Sequence, residues 1–215
     1  MDRRTSLTRK ISAIIFILIF SKITAQTDNV LWTSFQLQKD ISKKTTINIK
    51  PTLRFNNDVS TYQNTSIEII AKQKFTKGWS MQMLNRLWFI PDQSYRHFIW
   101  LDVAHGFKLN KLKIDNRLRY HWALDINDRS DPDYFRWSTK FSFINKSKVT
   151  PYIAIEPWLR TNDQNQFQRI RYEPGINWKI NSIYTLSVQY RRENTFNVST
   201  KRFTNFLMLN LIYKI

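Results

Sequence analysis

Cysteine is absent from the 215-residue chain, and only three histidines are present. Without cysteine the protein can form no disulfide bond, offers no thiol nucleophile and supplies no cysteine ligand for a metal. A lipid-anchored lipoprotein is excluded as well, because its anchor is attached to a cysteine. The chain also has no Ser/Gly-rich linker and no low-complexity tract, so nothing in the sequence marks a boundary between domains.

Long apolar runs are missing too. Beyond the N-terminal segment, no stretch reaches the roughly 18 consecutive apolar residues that indicate a transmembrane helix. The hydrocarbon layer offers no water to backbone groups, so only helices and closed barrels can cross it. If this protein spans a membrane, the spanning part is therefore a β-barrel.

The N-terminal residues have the layout of a secretory signal peptide. A basic start precedes an apolar core from Ile11 to Phe20, and Ala25 offers a small residue for cleavage. The core is too short to span a bilayer as a helix. The sequence predicts a signal peptide over residues 1–25, cleaved after Ala25, and one barrel domain over residues 26–215. The alternative is a retained signal anchor.

Basic residues outnumber acidic ones by 34 to 16, which gives a formal net charge of +18. Residues 1–25 hold five basic residues and one acid, so their removal leaves a net charge of +14. In a cytosolic protein such a charge would suggest nucleic acid as the partner. For an exported protein we expect no nucleic acid, and outer-membrane lipid headgroups and lipopolysaccharide phosphates as the counter-charges.

The rest of the chain alternates between apolar and polar residues. In the last segment Leu207, Leu209 and Leu211 share one face, whereas Asn210 and Lys214 lie on the other. A strand turns successive side chains to opposite faces, so this pattern indicates an amphipathic strand. Eleven segments of this kind are predicted: Val30–Gln38, Thr45–Phe55, Thr65–Phe75, Trp79–Phe89, Tyr95–Phe107, Leu112–Leu124, Tyr134–Phe143, Val149–Arg160, Phe167–Trp178, Tyr184–Thr195 and Arg202–Lys214.

These segments favour a membrane barrel over a soluble sheet. Most hold ten to thirteen residues, enough for the about 9–11 that a tilted strand needs to cross the hydrocarbon layer. Short turns such as Lys108–Lys111 alternate with longer links such as Asn56–Asn64 and Asp125–Asp133. Aromatic residues flank both kinds of connection, as the two girdles of an outer-membrane barrel require. The alternative is a soluble, lipocalin-like barrel with its apolar face turned inward.

The predicted fold class is therefore an all-β, antiparallel, up-and-down transmembrane β-barrel in the bacterial outer membrane, with about 10–12 strands. The count of eleven segments is odd, whereas bacterial single-chain barrels normally have an even number of strands. We therefore expect either that one segment is divided wrongly or that Val30–Gln38 lies outside the barrel wall.

Several short motifs resemble the DUF2490 family of bacterial proteins, interpreted as outer-membrane β-barrels. The motifs are Leu31-Trp32, Asn85-Arg86, Arg117-Leu118-Arg119-Tyr120, Pro151-Tyr152 with Glu156, and Arg169-Ile170-Arg171-Tyr172-Glu173-Pro174-Gly175. The resemblance covers essentially all of the mature chain. It implies the barrel fold and the outer-membrane location, and it implies no activity.

The inward face of the predicted barrel is rich in charge. The bases on it are Lys50, Arg54, Lys72, Lys74, Arg86, Arg96, Lys113, Arg117, Arg119, Arg160, Arg169, Arg171 and Arg191, and the acids are Glu68, Asp102, Asp115, Glu156, Glu173 and Glu193. We predict a lumen charge network formed by Arg86, Arg117, Arg119, Glu156, Arg169 and Arg171, with Glu156 at its centre. Glu193 is expected to lie in solvent near a long link.

Two interpretations of this lumen stay open. Charges that pair across strands would fill the interior of a structural or docking barrel. An incompletely paired basic lumen would instead bind or pass a small anionic solute, because arginine suits carboxylate and phosphate groups.

Enzymatic activity is not expected. A lipid-hydrolysing barrel needs a serine activated by a nearby histidine, and none of the three histidines has a serine two residues later. A dispersed arrangement of His121 with Ser138 or Ser187 is the alternative. No cofactor and no metal site are predicted, since three scattered histidines make a poor ligand set.

Overall fold

The computed structural model describes residues 27–93, 95–124, 132–161, 165–197 and 202–215. The predicted signal peptide lies outside the described residues. Eleven strands follow one another within these described ranges, and their lengths of 10–14 residues suit a barrel wall. They are β1 Thr27–Asp40, β2 Thr45–Asn56, β3 Thr61–Lys74, β4 Trp79–Phe89, β5 Arg96–Leu109, β6 Leu112–Leu124, β7 Tyr134–Phe143, β8 Val149–Arg160, β9 Gln166–Lys179, β10 Tyr184–Thr195 and β11 Phe203–Lys214.

The strands form one closed barrel in which every strand pairs with its neighbours in sequence. Ten pairs are antiparallel, and β1 closes the barrel against β11 in parallel, from Thr27 opposite Phe203 to Gln38 opposite Lys214. A parallel closure follows from the odd number, because the first and last strands of an odd meander run in the same direction.

The predicted all-β barrel fold is thus confirmed, and the strand number lies in the predicted range. Two details were wrong. Val30–Gln38 belongs to the wall, since β1 is bonded on both sides, and each of the eleven predicted segments corresponds to one strand. The link predicted over Asn56–Asn64 is only residues 57–60, because β2 and β3 extend into it and pair up to Asn56 opposite Thr61.

The two ends of the barrel differ in their connections. Residues 41–44, 75–78, 110–111, 144–148 and 180–183 connect the strands at the end that also holds Ile215, here called the short-turn end. Residues 57–60, 90–95, 125–133, 161–165 and 196–202 connect them at the other end, here called the long-loop end. Short connections on one side and longer ones on the other are typical of outer-membrane barrels.

The alternation of each strand separates an apolar outer surface from a polar interior. Leu101 and Ile153 lie on the outer face, where 49% and 48% of their surfaces are exposed. Glu156, on the same strand as Ile153, points inward and is 1% exposed. Polar groups on the outer face pair with each other, as Asn116 and Thr139 do at 2.9 Å. Among the described residues, no helix is long or apolar enough to cross a membrane.

Exposed aromatic side chains ring the outer surface near both ends. Trp79, Phe107, Phe143 and Trp178 lie beside the short turns, and Phe89, Trp122 and Phe203 lie towards the long loops. Two aromatic bands of this kind are what a membrane-spanning barrel requires.

Candidate functional site

Glu156 occupies the centre of the most densely charged part of the lumen. Its carboxylate accepts hydrogen bonds from Arg117 Nη2 at 2.5 Å, from Arg136 Nη2 at 2.6 Å and from Trp158 Nε1 at 2.8 Å. Arg171 Nη1 lies 3.6 Å from the same carboxylate. A single buried acid therefore holds three guanidinium groups, each of which is a planar, permanently charged donor.

Four further acids hold the neighbouring cations. Arg119 binds Asp102 through two parallel bonds of 2.6 and 2.7 Å. Each of the other three carboxylates accepts from at least one cation of a neighbouring strand: Glu193 from Arg171 and Arg169, Glu173 from Arg191, and Glu68 from Arg86 and Lys50. Charge-assisted bonds of this kind are the strong ones, so the network stiffens the interior.

Two indole rings lie between the guanidinium groups. Arg86 and Arg119 lie 4.1 and 4.3 Å from the ring centre of Trp100. Arg136 and Arg171 lie 3.7 and 3.9 Å from the ring centre of Trp158. The negative face of an aromatic ring attracts a cation, so the two tryptophans help to keep crowded arginines in place.

The predicted network arginines bind four different carboxylates rather than Glu156 alone. Arg117 and Arg171 reach Glu156, as the prediction requires. Arg119 binds Asp102 instead, and Arg169 binds Glu193 at 3.3 Å. Arg86 lies apart from Glu156 and binds Glu68, the residue directly opposite it on β3.

Sequence reasoning missed Arg136, which makes one of the shortest contacts to Glu156. The signal was available, because Arg136 alternates with Phe135 and Trp137, which are exposed on the outer face. It also misjudged Glu193, whose side chain is only 9% exposed and is held by two arginines. Its position near a strand end predicts contact with solvent, but Arg169 and Arg171 enclose the carboxylate.

His121 packs among aromatic rings on the inward face. The ring centres of Phe98 and Trp100 lie 5.0 Å away, and that of Tyr134 lies 5.9 Å away. Both of its ring nitrogens are buried without a hydrogen-bond partner among the described residues, and so neither Ser138 nor Ser187 is bonded to it.

The other two histidines face outward. His97 bonds the side chain of Asn85 at 2.8 Å, and His105 packs against Trp79. Within the part of the chain that the structure describes, no group of three or more potential ligands could hold a metal.

The network leaves space in the lumen. A cavity of about 850 Å³ extends from Lys74 and Gly78 at the short-turn end to Pro132 and Tyr134 near the long-loop end. A smaller pocket of about 110 Å³ lies beside it, against β1, β2, β3, β4, β10 and β11.

Fold and lumen together define this chain as a closed eleven-stranded β-barrel with an apolar outer wall and a charged interior. The chain belongs to the DUF2490 family, described as a protein of unknown function, whose model matches residues 29–204. No curated protein and no solved structure has significant similarity to it.

Proposed function

We propose that this protein is an exported bacterial outer-membrane barrel that serves as a structural or docking element, with paired charges that cross and largely fill its lumen. The observation that carries the proposal is the pairing of buried Glu156 with Arg117, Arg136 and Arg171, which come from three other strands. Such a cross-linked interior resists the rearrangement that an open channel would need.

The membrane location is supported by the outer surface. Exposed leucine, isoleucine, valine and methionine side chains cover the middle of the wall between two aromatic bands. A soluble barrel would turn such a face towards a ligand, whereas here the charged face is inside. Lipid is the solvent that suits an apolar exterior of this extent.

Lipid headgroups are the partners that we propose. Exposed lysines crowd the short-turn end, namely Lys43, Lys44, Lys77, Lys111, Lys146 and Lys148. Cations beside an anionic membrane surface contribute roughly 1 kcal/mol each. If the short turns face the periplasm, as in outer-membrane barrels generally, these lysines meet phospholipids of the inner leaflet, and lipopolysaccharide meets the opposite end.

An anion-preferring pore is the second candidate function. Lys72 and Lys74 line the large cavity, and neither contacts a carboxylate in the described ranges. In planar lipid bilayers, a barrel whose lumen is blocked by the charge network is expected to give no current steps above those of the bare membrane. Reproducible anion-selective steps that grow in Glu156→Gln, which frees Arg117 and Arg136, would instead establish the pore.

We propose no hydrolytic activity. Purified barrel incubated with phospholipid or lipopolysaccharide is expected to release no fatty acid, because His121 is enclosed by aromatic rings and bonds to no serine in the described residues. Mass spectrometry of the lipid products checks this. Fatty-acid release that disappears in His121→Ala would make the protein a lipid hydrolase.

A further inference from the structure

Arg54 differs from the other arginines of the network. Seven lumen arginines each lie within ion-pair distance of a carboxylate: Arg86, Arg117, Arg119, Arg136, Arg169, Arg171 and Arg191. Arg54 also faces the lumen, on β2, but it has no such carboxylate in the part of the chain that the structure describes. The acids whose charges act on it, Glu193 and Asp28, lie beyond ion-pair distance, and Glu193 is already held by Arg169 and Arg171.

Aromatic side chains hold the Arg54 guanidinium instead. Its central carbon lies 5.1 Å from the ring centre of Trp32, 5.6 Å from that of Phe206 and 6.0 Å from that of Trp88. Stacked arginine loses less freedom when it binds an oxyanion, because its planar donor fork is already oriented. The Arg54 guanidinium is thus held in position, and its positive charge is not paired with a carboxylate of the described residues.

The 110 Å³ pocket beside Arg54 has a surplus of cations and of donors. Lys50, Arg54 and Arg86 line it against the single acid Glu68, whose two oxygens are taken by Arg86 and Lys50. The buried Thr52 hydroxyl and the amide nitrogen of Gln189 belong to lining side chains and have no hydrogen-bond partner among the described residues. Two net positive charges and unpaired polar groups favour an acceptor-rich, negatively charged ligand.

We propose that Arg54 and this side pocket form a binding site for a small oxyanion, supplied by a carboxylate or a phosphate group. The pocket has room for the equivalent of only a few water molecules, which limits the enclosed part of the ligand to one such group. Arg54 also borders the large cavity, so the remainder of a larger ligand has space there. The ligand's oxygens accept from the guanidinium fork of Arg54, which supplies the pairing that the protein does not.

The site is tested with the full mature barrel in a non-ionic detergent and a Tris-chloride buffer. Isothermal titration calorimetry is carried out with sodium phosphate and, separately, with sodium acetate. A titration with sodium chloride at equal ionic strength is the reference. We expect saturable binding of at least one oxyanion and a response to chloride that does not saturate. The oxyanion with the lower dissociation constant shows whether the site prefers a phosphate or a carboxylate group.

Two variants locate the binding. Arg54→Gln is expected to abolish it, and Arg54→Lys to weaken it by about tenfold, because lysine keeps the charge but loses the stacked, two-pronged donor. Lys72→Gln is the matched control, since Lys72 is another lumen cation without a carboxylate in the described ranges, placed nearer the short-turn end. Arg54→Gln deprives no carboxylate in the described ranges of an ion-pair partner, so its circular dichroism spectrum should stay that of the folded barrel. If Arg54→Gln does not fold, the weaker binding expected of Arg54→Lys tests the site instead.

Three results would overturn the proposal. The absence of saturable binding of either oxyanion would mean that the pocket holds water only. Unchanged binding in a folded Arg54→Gln would place the ligand elsewhere. Loss of binding in Lys72→Gln with retention in Arg54→Gln would assign it to the lysines of the large cavity. None of these outcomes bears on the membrane location or on conductance.

Discussion

Replacement of Glu156 by glutamine is expected to lower the free energy of unfolding by about 3–5 kcal/mol, the range found when one partner of a buried ion pair is removed. The substitution keeps the shape of the side chain but deletes the charge that holds Arg117, Arg136 and Arg171 together. Three guanidinium groups would then face one another in a protein interior, where desolvation is costly and repulsion is poorly screened. Reversible urea unfolding of the barrel in lipid vesicles measures the change.

Asp115→Asn is the matched control. Asp115 also points into the lumen, but it and its partner Lys113 are 34% and 42% exposed at the short-turn end. A solvated pair contributes about 0–1 kcal/mol, so the control variant should unfold almost like the wild type. Equal losses in the two variants would mean that the Glu156 network adds nothing beyond an ordinary exposed pair.

The loss of unfolding free energy in Glu193→Gln is expected to lie between the losses in Glu156→Gln and Asp115→Asn. Arg171 would keep its contact with Glu156 at 3.6 Å, and Arg169 is partly exposed and could be hydrated.

A double variant provides a further check, because Glu156→Gln with Arg136→Gln removes one of the cations left without a partner. It should recover part of the stability lost in Glu156→Gln alone, and additive losses would contradict the proposed coupling.

Replacement of Ile153 by lysine is expected to destabilise the barrel in lipid vesicles by about 2–4 kcal/mol, the cost of a lysine on the lipid-facing surface near the bilayer midplane. Ile153 lies on the outer face of β8, with 48% of its surface exposed. A lysine there would carry its charge into hydrocarbon. If the exterior were instead in water, lysine at so exposed a position should change stability by less than about 0.5 kcal/mol.

Gln82→Lys separates the effect of lipid from the effect of an added charge. Gln82 points into the lumen on β4, and its amide donates to Asp102 at 3.2 Å, so a lysine would meet a carboxylate. We expect a loss of less than about 1 kcal/mol. Urea titration of both variants in the same vesicles makes the comparison, and equal stabilities would mean that the two faces have been assigned the wrong way round.

The faces of the wall could be predicted from the sequence, because a period of two residues assigns each side chain to one side of the sheet. Lys50 and Arg54 on β2, and Glu156 on β8, lie inside as predicted. The extended ends of β2 and β3 could not be predicted, because residues such as Thr61 have no apolar partner to mark them. The parallel closure could not be predicted with certainty from the sequence either. It requires an odd number of strands, and one misplaced strand boundary would change that number.

The pairing inside the lumen depends on register, which alternation does not reveal. Arg86 was expected at Glu156, but the register of β3 and β4 places Glu68 directly opposite it. Arg119 likewise lies opposite Asp102 on β5. Arg86 and Arg119 thus pair with an acid of the adjacent strand, whereas Arg117 reaches Glu156 across β7. These partners follow from stagger and shear, which are properties of the closed barrel.

Membrane fractionation of the expressed, signal-bearing protein tests the central claim most directly. Cells are broken, the inner and outer membranes are separated on a sucrose gradient, and each membrane fraction is washed with urea at high pH. A barrel embedded by its apolar exterior should remain in the outer-membrane fraction after the wash, with an N-terminus at Gln26. Recovery of the folded protein as a soluble periplasmic monomer would contradict the account.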